Sequence, residues 1–394
     1  MSSSTNTNMP NYLTDQIITY MGNKRKILPH IANCIDAISE REGGRPLSMA
    51  DAFSGSGVVA RLLKTKTSSS HLYVNDCAGY SETLNRCFLA NPIPEFMTRV
   101  NEYIAQANAL ADANELLADD AWISKHWAPR GEITPEHRVY YTEENGRRID
   151  IIRNFITTLP PAFQPFLLAP LLVEASIHNN TNGQFTAYYK DGDRGAFGGS
   201  KGNDIKRITS PIRLKSPVLH DDPSTSSTIT PGVGVGVPTV NISRSDANEW
   251  INQLPNVDVL YLDPPYNKHP YCIYYFMLDI INDWDKTIDI PTTYRGQPKN
   301  WTKSSYNSSR GAVAAFTDLI ARSPTKYIIM SYNDEGIIPL KQMGEILELH
   351  GTVEKVPIEH KVYNRLRGIA GYKREKEARE VKEFIWVLTK RDTR

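Results

Sequence analysis

The chain has 394 residues and carries 45 Lys and Arg against 44 Asp and Glu, a formal net charge of +1. This balance excludes a general nucleic-acid coat protein, so any nucleic-acid contact must come from local basic patches. Hydrophobic residues make up 40% of the chain and charged residues 23%, as in an ordinary globular protein, and the length predicts two domains or one domain with a large insertion.

No apolar run is long enough to cross a membrane and no signal peptide is recognisable, so we expect a cytoplasmic protein without a membrane partner. The four cysteines are scattered and show no CxxC spacing. This pattern argues against a disulfide framework or a zinc site and favours a reducing compartment. We therefore expect no metal.

The first informative segment is residues 17–38, where Tyr20-Met21-Gly22-Asn23-Lys24 precedes a predicted helix. Gly22-Asn23 is typical of a turn, and the apolar residues that follow recur at helical spacing. Taken alone, this segment is best interpreted as the basic, solvent-exposed start of a helix.

Residues 49–60 predict a short strand, a glycine-rich turn and a helix, and residues 71–77 predict a second strand that ends at Asp76. Glycines at 55 and 57 permit a tight turn and close approach of the backbone to a ligand. Asp76 lies at the distance expected of a ribose-binding acid, and the less favoured alternative is that it caps the helix before Tyr80. An adenosine-type ligand is indicated, and a nicotinamide dinucleotide remains one of the possibilities.

Residues 91–238 differ in character from the segments around them. Helices are predicted over 147–159 and 163–178, and residues 178–215 are rich in amides, tyrosines and cations, with little to bury. Between Lys190 and Lys215 there are seven cations and three anions, hence +4. This composition suits contact with phosphates and base edges, and a solvated irregular loop is the alternative. Residues 221–238 are predicted to be a flexible connection.

The chain then resumes a sheet pattern, with a short strand at 239–243 and a helix starting at Asp246-Ala247, where Asp246 is an N-cap candidate. Residues 257–262 predict a buried strand that ends at Asp263-Pro264-Pro265-Tyr266. The prolines stop the strand rigidly and leave a carboxylate, carbonyl acceptors and an aromatic ring at a ligand-binding edge. Such a set could orient a flat aromatic amine, since the carboxylate and a carbonyl can each accept one amino hydrogen.

These motifs together resemble the alpha-class (D12, Dam-like) site-specific DNA adenine-N6 methyltransferases, and in particular those of type IIS restriction–modification systems. The resemblance implies S-adenosyl-L-methionine as cofactor, with Asp76 on the ribose and Lys24 on the carboxylate. It implies catalysis by Asp263, Pro264, Pro265 and Tyr266 on an adenine flipped out of double-stranded DNA. The full set of expected cofactor-binding residues is Tyr20, Met21, Gly22, Lys24, Asp51, Phe53, Gly55, Ser56, Gly57, Asp76, Asp246 and Ala247. Cys272-Ile273-Tyr274 departs from the family pattern, which puts the shape of the pocket lip in doubt.

The last part of the chain predicts a buried strand at 326–333 and a final strand at 384–388. Between Lys361 and Arg394 there are eleven cations and five anions, hence +6. A basic hairpin here could grip DNA phosphates, with a solvated loop as the alternative. The predicted DNA contacts are Lys190, Arg194, Lys201, Lys206, Arg207, Arg365 and Arg367.

We therefore expect a doubly wound, mostly parallel α/β sheet with an antiparallel terminal strand. Residues 1–90 and 239–394 would form the catalytic domain, and 91–238 an inserted target-recognition region. The expected activity is adenine-N6 methylation of DNA, with a cognate restriction endonuclease as a functional partner. The alternatives are a cytosine-N4 or RNA methyltransferase, a nicotinamide-dependent oxidoreductase, and a non-catalytic DNA-binding subunit.

Overall fold

The structure is a computed structural model. It describes residues 11–67, 71–220, 240–266, 268, 270–299, 304–358 and 383–391. The predicted connection at 221–238 and the basic tail with Arg365 and Arg367 lie outside these residues.

A seven-stranded sheet forms the centre of the described structure. The strands, in chain order, are β1 (Met49–Asp51), β2 (Leu72–Asp76), β3 (Lys190–Asp191), β4 (Arg194–Gly195), β5 (Asn241–Arg244), β6 (Val257–Leu262), β7 (Thr325–Asn333), β8 (Gly351–Ile358) and β9 (Glu383–Lys390). The sheet order is β5-β2-β1-β6-β7-β9-β8, while β3 and β4 form a separate ribbon. The first four contacts in this order are parallel, and β9 runs antiparallel to both β7 and β8. The predicted fold class is confirmed, and β8 is an additional edge strand.

Helices cover both faces of the sheet. They are α1 (Asn11–Thr14), α2 (Leu28–Arg41), α3 (Val58–Lys64), α4 (Gly79–Phe88), α5 (Pro94–Ala113), α6 (Ile123–His126), α7 (Glu143–Thr157), α8 (Gln164–Ile177), α9 (Ile205–Thr209), α10 (Ala247–Trp250), α11 (Tyr271–Asp283), α12 (Ala312–Arg322) and α13 (Leu340–Glu348). One core cluster joins α2 and α3 to the sheet, and another joins α10, α12 and α13 to the opposite face. Successive side chains of β6 point alternately into the two clusters. Val259 and Tyr261 belong to the cluster with α2 and α3, and Leu260 and Leu262 belong to the cluster with α10, α12 and α13. Burial on both faces explains why β6 is almost continuously apolar.

The chain order reverses beside β1, which lies between β2 and β6. The chain passes from β1 outward to β2 and β5, and then returns to β6 on the other side of β1. A crevice is expected outside the carboxyl ends of the strands at such a reversal. The predicted glycine turn follows β1 and the Asp-Pro-Pro-Tyr motif follows β6, so the topology brings both motifs to this crevice.

The helices within residues 91–238 share a hydrophobic core with helices next to the sheet. One cluster includes Ile149 and Leu171 from this segment together with Leu84 of α4 and Ile281 of α11. The division into a catalytic domain and an inserted region, with boundaries at residues 90 and 239, stays a prediction.

The prediction that residues 178–215 are too polar to form a core is wrong in part. Phe185, Ile208 and Ile212 are buried, and so are the amides of Asn179 and Asn180. Asn180 donates from Nδ2 to the Val139 and Ala196 carbonyls and accepts the Gly198 N–H. Because its hydrogen bonds are satisfied internally, a buried amide of this kind braces the loop and is not available to read base edges.

Candidate active site

A cavity of about 360 Å³ lies outside the carboxyl ends of the central strands. Predicted site residues from five separate segments line it: Tyr20, Phe53, Asp76, Asp246, Ala247, Asp263 and Pro265. These segments are separated by up to 245 residues in sequence, from Tyr20 to Pro265. The crevice expected from the topology is therefore present, with acidic side chains along its wall.

The glycine turn is held against the end of β2. The Gly55 N–H donates to Asp76 Oδ2 at 2.7 Å, and Gly55 and Gly57 have φ of +52° and +77°. A Cβ on Gly55 would lie 2.8 Å from the Tyr20 ring, so glycine is required there. Ser56 is buried within the turn. These contacts fix the path of the loop, as expected of a segment that brings backbone close to a ligand.

Asp51 supports this loop from behind. It is fully buried, and its Oδ1 accepts the Phe53 N–H at 3.2 Å. Burial raises the pKa of its carboxyl well above the usual range. This contact shapes the turn that places Phe53 on the cavity wall, so Asp51 would act on a ligand indirectly, through Phe53.

Asp76 faces the cavity and does not cap α4. Its two oxygens accept the N–H groups of Gly55 and Ala78, and burial raises the pKa of its carboxyl. The N–H groups of Gly79 and Tyr80, at the start of α4, are instead taken by Asp279 Oδ1 at 3.1 and 3.3 Å. The N-cap interpretation of Asp76 is therefore wrong. The sequence missed Asp279 because it lies 200 residues away from Gly79 on α11.

Asp246 caps α10, as the sequence predicted, since its Oδ1 accepts the Asn248 N–H at 2.9 Å. It also lines the cavity together with Ala247. The cap and a contact to a ligand are compatible, because one carboxylate has more acceptor sites than the cap uses.

The segment from Tyr20 to Lys24 is fastened to α11. The Tyr20 ring stacks on Tyr271 and Tyr275, with centroids 5.3 and 4.9 Å away. The Met21 N–H donates to the Tyr275 hydroxyl at 2.8 Å, and the Tyr271 hydroxyl donates to the Met21 carbonyl at 3.4 Å. The departure from the family pattern after His269-Pro270-Tyr271 thus falls on the helix that clamps this segment.

Lys24 points to the catalytic motif and not to the cavity. Its Nζ lies 3.2 Å from Asp263 Oδ1 and 2.9 Å from Glu383 Oε1, and Lys24 is only 5% exposed. The structure thus places Lys24 beside the catalytic carboxylate, and its expected contact with the carboxylate of the cofactor stays a prediction. Burial raises the pKa of Asp263 to about 6, against the opposing effect of Lys24. The carboxyl group at the end of β6 therefore has a pKa close to neutral pH.

Tyr266 packs closely behind Asp263. Its ring meets Tyr332 edge-on at 6.0 Å, and its backbone carbonyl accepts the Ile337 N–H at 3.2 Å. A Cβ on Gly22 would lie 2.0 Å from the Tyr266 hydroxyl, so Gly22 is required for this packing. The buried Pro264 and the cavity-lining Pro265 connect Asp263 to this ring. The motif is consequently fixed by tertiary contacts as well as by its prolines.

Residues 20–196 match the family model of the D12 class N6 adenine-specific DNA methyltransferases. This segment of the chain is similar to that family. The matched residues contain the predicted cofactor motifs and end before Asp263, so the geometry of the catalytic motif is an independent observation. The resemblance stated from the sequence is confirmed.

Similar curated proteins are also methyltransferases. The chain is 27% identical to the type II methyltransferase M.NlaIII of Neisseria lactamica, over 95% of this chain and 99% of that protein. It is 26% identical to the type II methyltransferase M.CviAII of Paramecium bursaria Chlorella virus 1, over 87% and 92%. It is 25% identical to the type II methyltransferase M.FokI of Planomicrobium okeanokoites over 94% of this chain, and spans about half the length of M.FokI. No solved structure matches.

The predicted DNA-contacting cations divide into two groups. Lys190, Arg194, Lys201 and Lys206 are exposed and form no ion pair within the described residues. Arg207 instead donates to the carbonyls of Ile177, Asn179 and Thr181 and contacts Asp204. Four of its five N–H groups are thus used internally, and the prediction of Arg207 as a phosphate contact is wrong.

The structure adds the exposed Tyr294 and the partly exposed Arg295 to this group. Tyr294 is 47% exposed, and the cationic groups of Lys190 and Arg295 lie 5.0 and 5.1 Å from its ring centroid. Arg138 holds the backbone below it by donating to the Pro291 and Thr293 carbonyls, and Trp127 donates to the Arg295 carbonyl. In the sequence, the only indication of this contact surface was that a tyrosine and an arginine are adjacent at 294 and 295. Nothing in the sequence placed it beside Lys190, 104 residues earlier.

In the described part of the chain, no helix is long and apolar enough to span a membrane. The same residues contain no group of three or more His, Cys, Asp or Glu side chains that could hold a metal ion.

Proposed function

We propose that this protein transfers the methyl group of S-adenosyl-L-methionine to N6 of an adenine flipped out of double-stranded DNA. The observation that carries the proposal is the position of Asp263-Pro264-Pro265-Tyr266. The motif lies at the carboxyl end of β6, on the wall of a cavity that Asp76 and Asp246 also line. The match of residues 20–196 to the D12-class family model supports both the chemistry and the base.

The residues along the cavity fit S-adenosylmethionine in size and chemistry. Asp76 can accept the two ribose hydroxyls, and Asp246 can accept the adenine amino group. Phe53 and Tyr20 offer aromatic surface, and the acidic side chains of Asp76 and Asp246 suit a ligand that carries a cationic sulfonium. When bound, the cofactor supplies an electrophilic methyl group.

The chain itself orients the amine. Asp263 Oδ1 is buried 3.2 Å from the Lys24 ammonium, while Asp263 also lines the cavity. One side of the carboxylate is thus held by Lys24, and the other side is available to a ligand in the cavity. The N6 amino group can donate one hydrogen to Asp263 and the other to the Pro264 carbonyl, while Tyr266 stacks on the base. Alignment of the nitrogen with the methyl group is then the main catalytic contribution.

The exposed cations form the proposed DNA-facing surface. We define this surface as Lys190, Arg194, Lys201, Lys206, Tyr294 and Arg295. Cations without anionic partners beside an exposed aromatic ring suit a phosphate backbone and its bases. Gln297 and Pro298, shortly after Arg295, line the cavity, so this surface continues to the mouth of the site. The basic tail around Arg365 and Arg367 stays a second predicted contact.

The biological role we propose is protection of host DNA in a restriction–modification system. M.NlaIII and M.CviAII are type II methyltransferases, and this chain covers nearly their full length. A cognate restriction endonuclease would be the functional partner.

The test is methyl transfer from labelled S-adenosylmethionine to duplex DNA, single-stranded DNA and RNA. We expect duplex DNA to be the preferred acceptor, and Asp263→Asn to abolish transfer while cofactor binding by calorimetry is kept. Asp112→Asn is the matched control, because Asp112 is an exposed carboxylate paired with Arg213 and Arg148. Normal transfer by folded Asp263→Asn, or transfer to RNA alone, would refute the proposal.

A further inference from the structure

One ammonium group is shared by two carboxylates beneath the catalytic motif. Lys24 Nζ lies 2.9 Å from Glu383 and 3.2 Å from Asp263. The side chains of Lys24, Glu383 and Asp263 are 5%, 11% and 18% exposed. Ion pairs in such poorly solvated positions are screened weakly.

The three groups come from distant parts of the chain. Lys24 precedes α2, Asp263 follows β6, and Glu383 is the first residue of β9. Glu383 is in register with Asn333 of β7 and Ile358 of β8. The antiparallel end of the sheet therefore places a carboxylate next to Lys24, so β9 contributes a residue to the site.

The charges in this cluster do not balance. One cation faces two carboxylates, and Asp51 lies close enough to Asp263 to affect it electrostatically. A lysine paired with Asp263 alone would be neutral, so Glu383 adds a buried negative charge that is costly for stability. A carboxylate in this costly position can be explained if Glu383 fixes the position of the Lys24 ammonium.

We propose that Glu383 is a positioning residue for methyl transfer, holding Lys24 on the buried side of Asp263 so that the ammonium stabilises the carboxylate without reaching the side that faces the cavity. The proposal rests on the proposed function of Asp263 as the acceptor of one N6 hydrogen. The shorter contact of Lys24 goes to Glu383, its contact with Asp263 is made to the buried Oδ1, and Asp263 lines the cavity whereas Lys24 does not. Without Glu383, the ammonium has three N–H groups free to turn further onto Asp263 and compete with the substrate for the carboxylate.

The electrostatics give this arrangement a measurable signature. Burial raises the pKa of Asp263; Lys24 and the Ser331 hydroxyl lower it, and Glu383 raises it. The phenols of Tyr261, Tyr266, Tyr271 and Tyr332 and the carboxyl of Asp51 also face this group. Removing the Glu383 charge should therefore lower the pKa of Asp263, and removing Lys24 should raise it.

The experiment measures kcat and kcat/KM against pH for the full-length protein with duplex DNA. For Glu383→Gln we expect the acidic limb of kcat/KM to move down by about one pH unit. We also expect kcat at pH 8 to fall on the order of tenfold, as the misplaced ammonium competes with the substrate. The Kd for S-adenosylmethionine should be unchanged. For Lys24→Met the acidic limb should move in the opposite direction, to higher pH.

Glu354→Gln is the matched control. Glu354 lies on the neighbouring strand β8 and makes an exposed ion pair with Arg41, so its pH profile should equal that of the wild type. A merely structural role of Glu383 would lower the folded fraction and leave the pH profile of the remaining enzyme unmoved, which would overturn the proposal. If Glu383→Gln does not fold, Glu383→Asp decides: it keeps the charge but shortens the reach to Lys24, so kcat should fall, and an unchanged kcat would overturn the proposal. Failure of the wild type to methylate adenine would instead refute the proposed function.

Discussion

Gly22→Ala tests whether the cofactor segment and the catalytic motif are mechanically coupled. Gly22 has φ of +72°, and a Cβ there would lie 2.0 Å from the Tyr266 hydroxyl and 3.1 Å from its ring carbon Cζ. The left-handed backbone should cost about 1–2 kcal/mol of the free energy of unfolding. Displacement of the partly buried Tyr266 ring should cost about 1–3 kcal/mol more. A shift of the ring by about 1 Å should lower single-turnover methyl transfer roughly 100-fold.

Gly43→Ala separates these two effects. Gly43 has nearly the same φ, +73°, and no atom lies within 4 Å of a Cβ built there. It should show only the backbone cost in urea unfolding, with normal methyl transfer. If the two variants have the same free energy of unfolding and the same methyl-transfer rate, the coupling between Gly22 and Tyr266 does not exist.

The remaining predictions concern the cofactor, DNA and pH. Asp76→Ala should weaken S-adenosylmethionine binding by about 1–3 kcal/mol in calorimetry, and unchanged affinity would contradict its ribose role. Lys190→Ala and Arg295→Ala should each reduce the salt slope of DNA binding by about 1, whereas Arg207→Ala should lower stability and leave the slope unchanged. Burial raises the pKa of Asp279 from 3.8 to about 7, so the free energy of unfolding should fall as the pH rises through this window. In Asp279→Asn, the free energies of unfolding measured by urea titration at pH 5 and pH 8 should differ less than in the wild type. An unchanged difference would refute the role of Asp279 in this pH dependence.

The sheet could be predicted from the sequence where burial on both faces leaves an apolar run. Residues 257–262 and 326–333 have this pattern, and both are strands. The edge strand β8 lacks it, since Thr352, Glu354 and Lys355 interrupt its apolar residues. Its identity as a strand depends on pairing with β9, which local sequence does not encode.

The candidate site could be predicted where a motif carries its own geometry. The glycine turn and the proline-fixed end of β6 are of this kind. The partners of Lys24 are not, because Glu383 is 359 residues away and only the sheet order brings it close. Arg207 shows the opposite problem. The composition of its segment suggested a surface cation, but its N–H groups donate to nearby backbone carbonyls of the loop.

The most direct test of the central claim is to map modified bases in DNA from a methylation-free host that expresses the protein. Single-molecule sequencing should show N6-methyladenine at every copy of one short sequence, and none when the host expresses Asp263→Asn. Nucleoside mass spectrometry of the same DNA should contain N6-methyladenine and no N4-methylcytosine. N4-methylcytosine in its place, or undiminished N6-methyladenine with folded Asp263→Asn, would contradict the assignment of Asp263-Pro264-Pro265-Tyr266 as the adenine-methylating site.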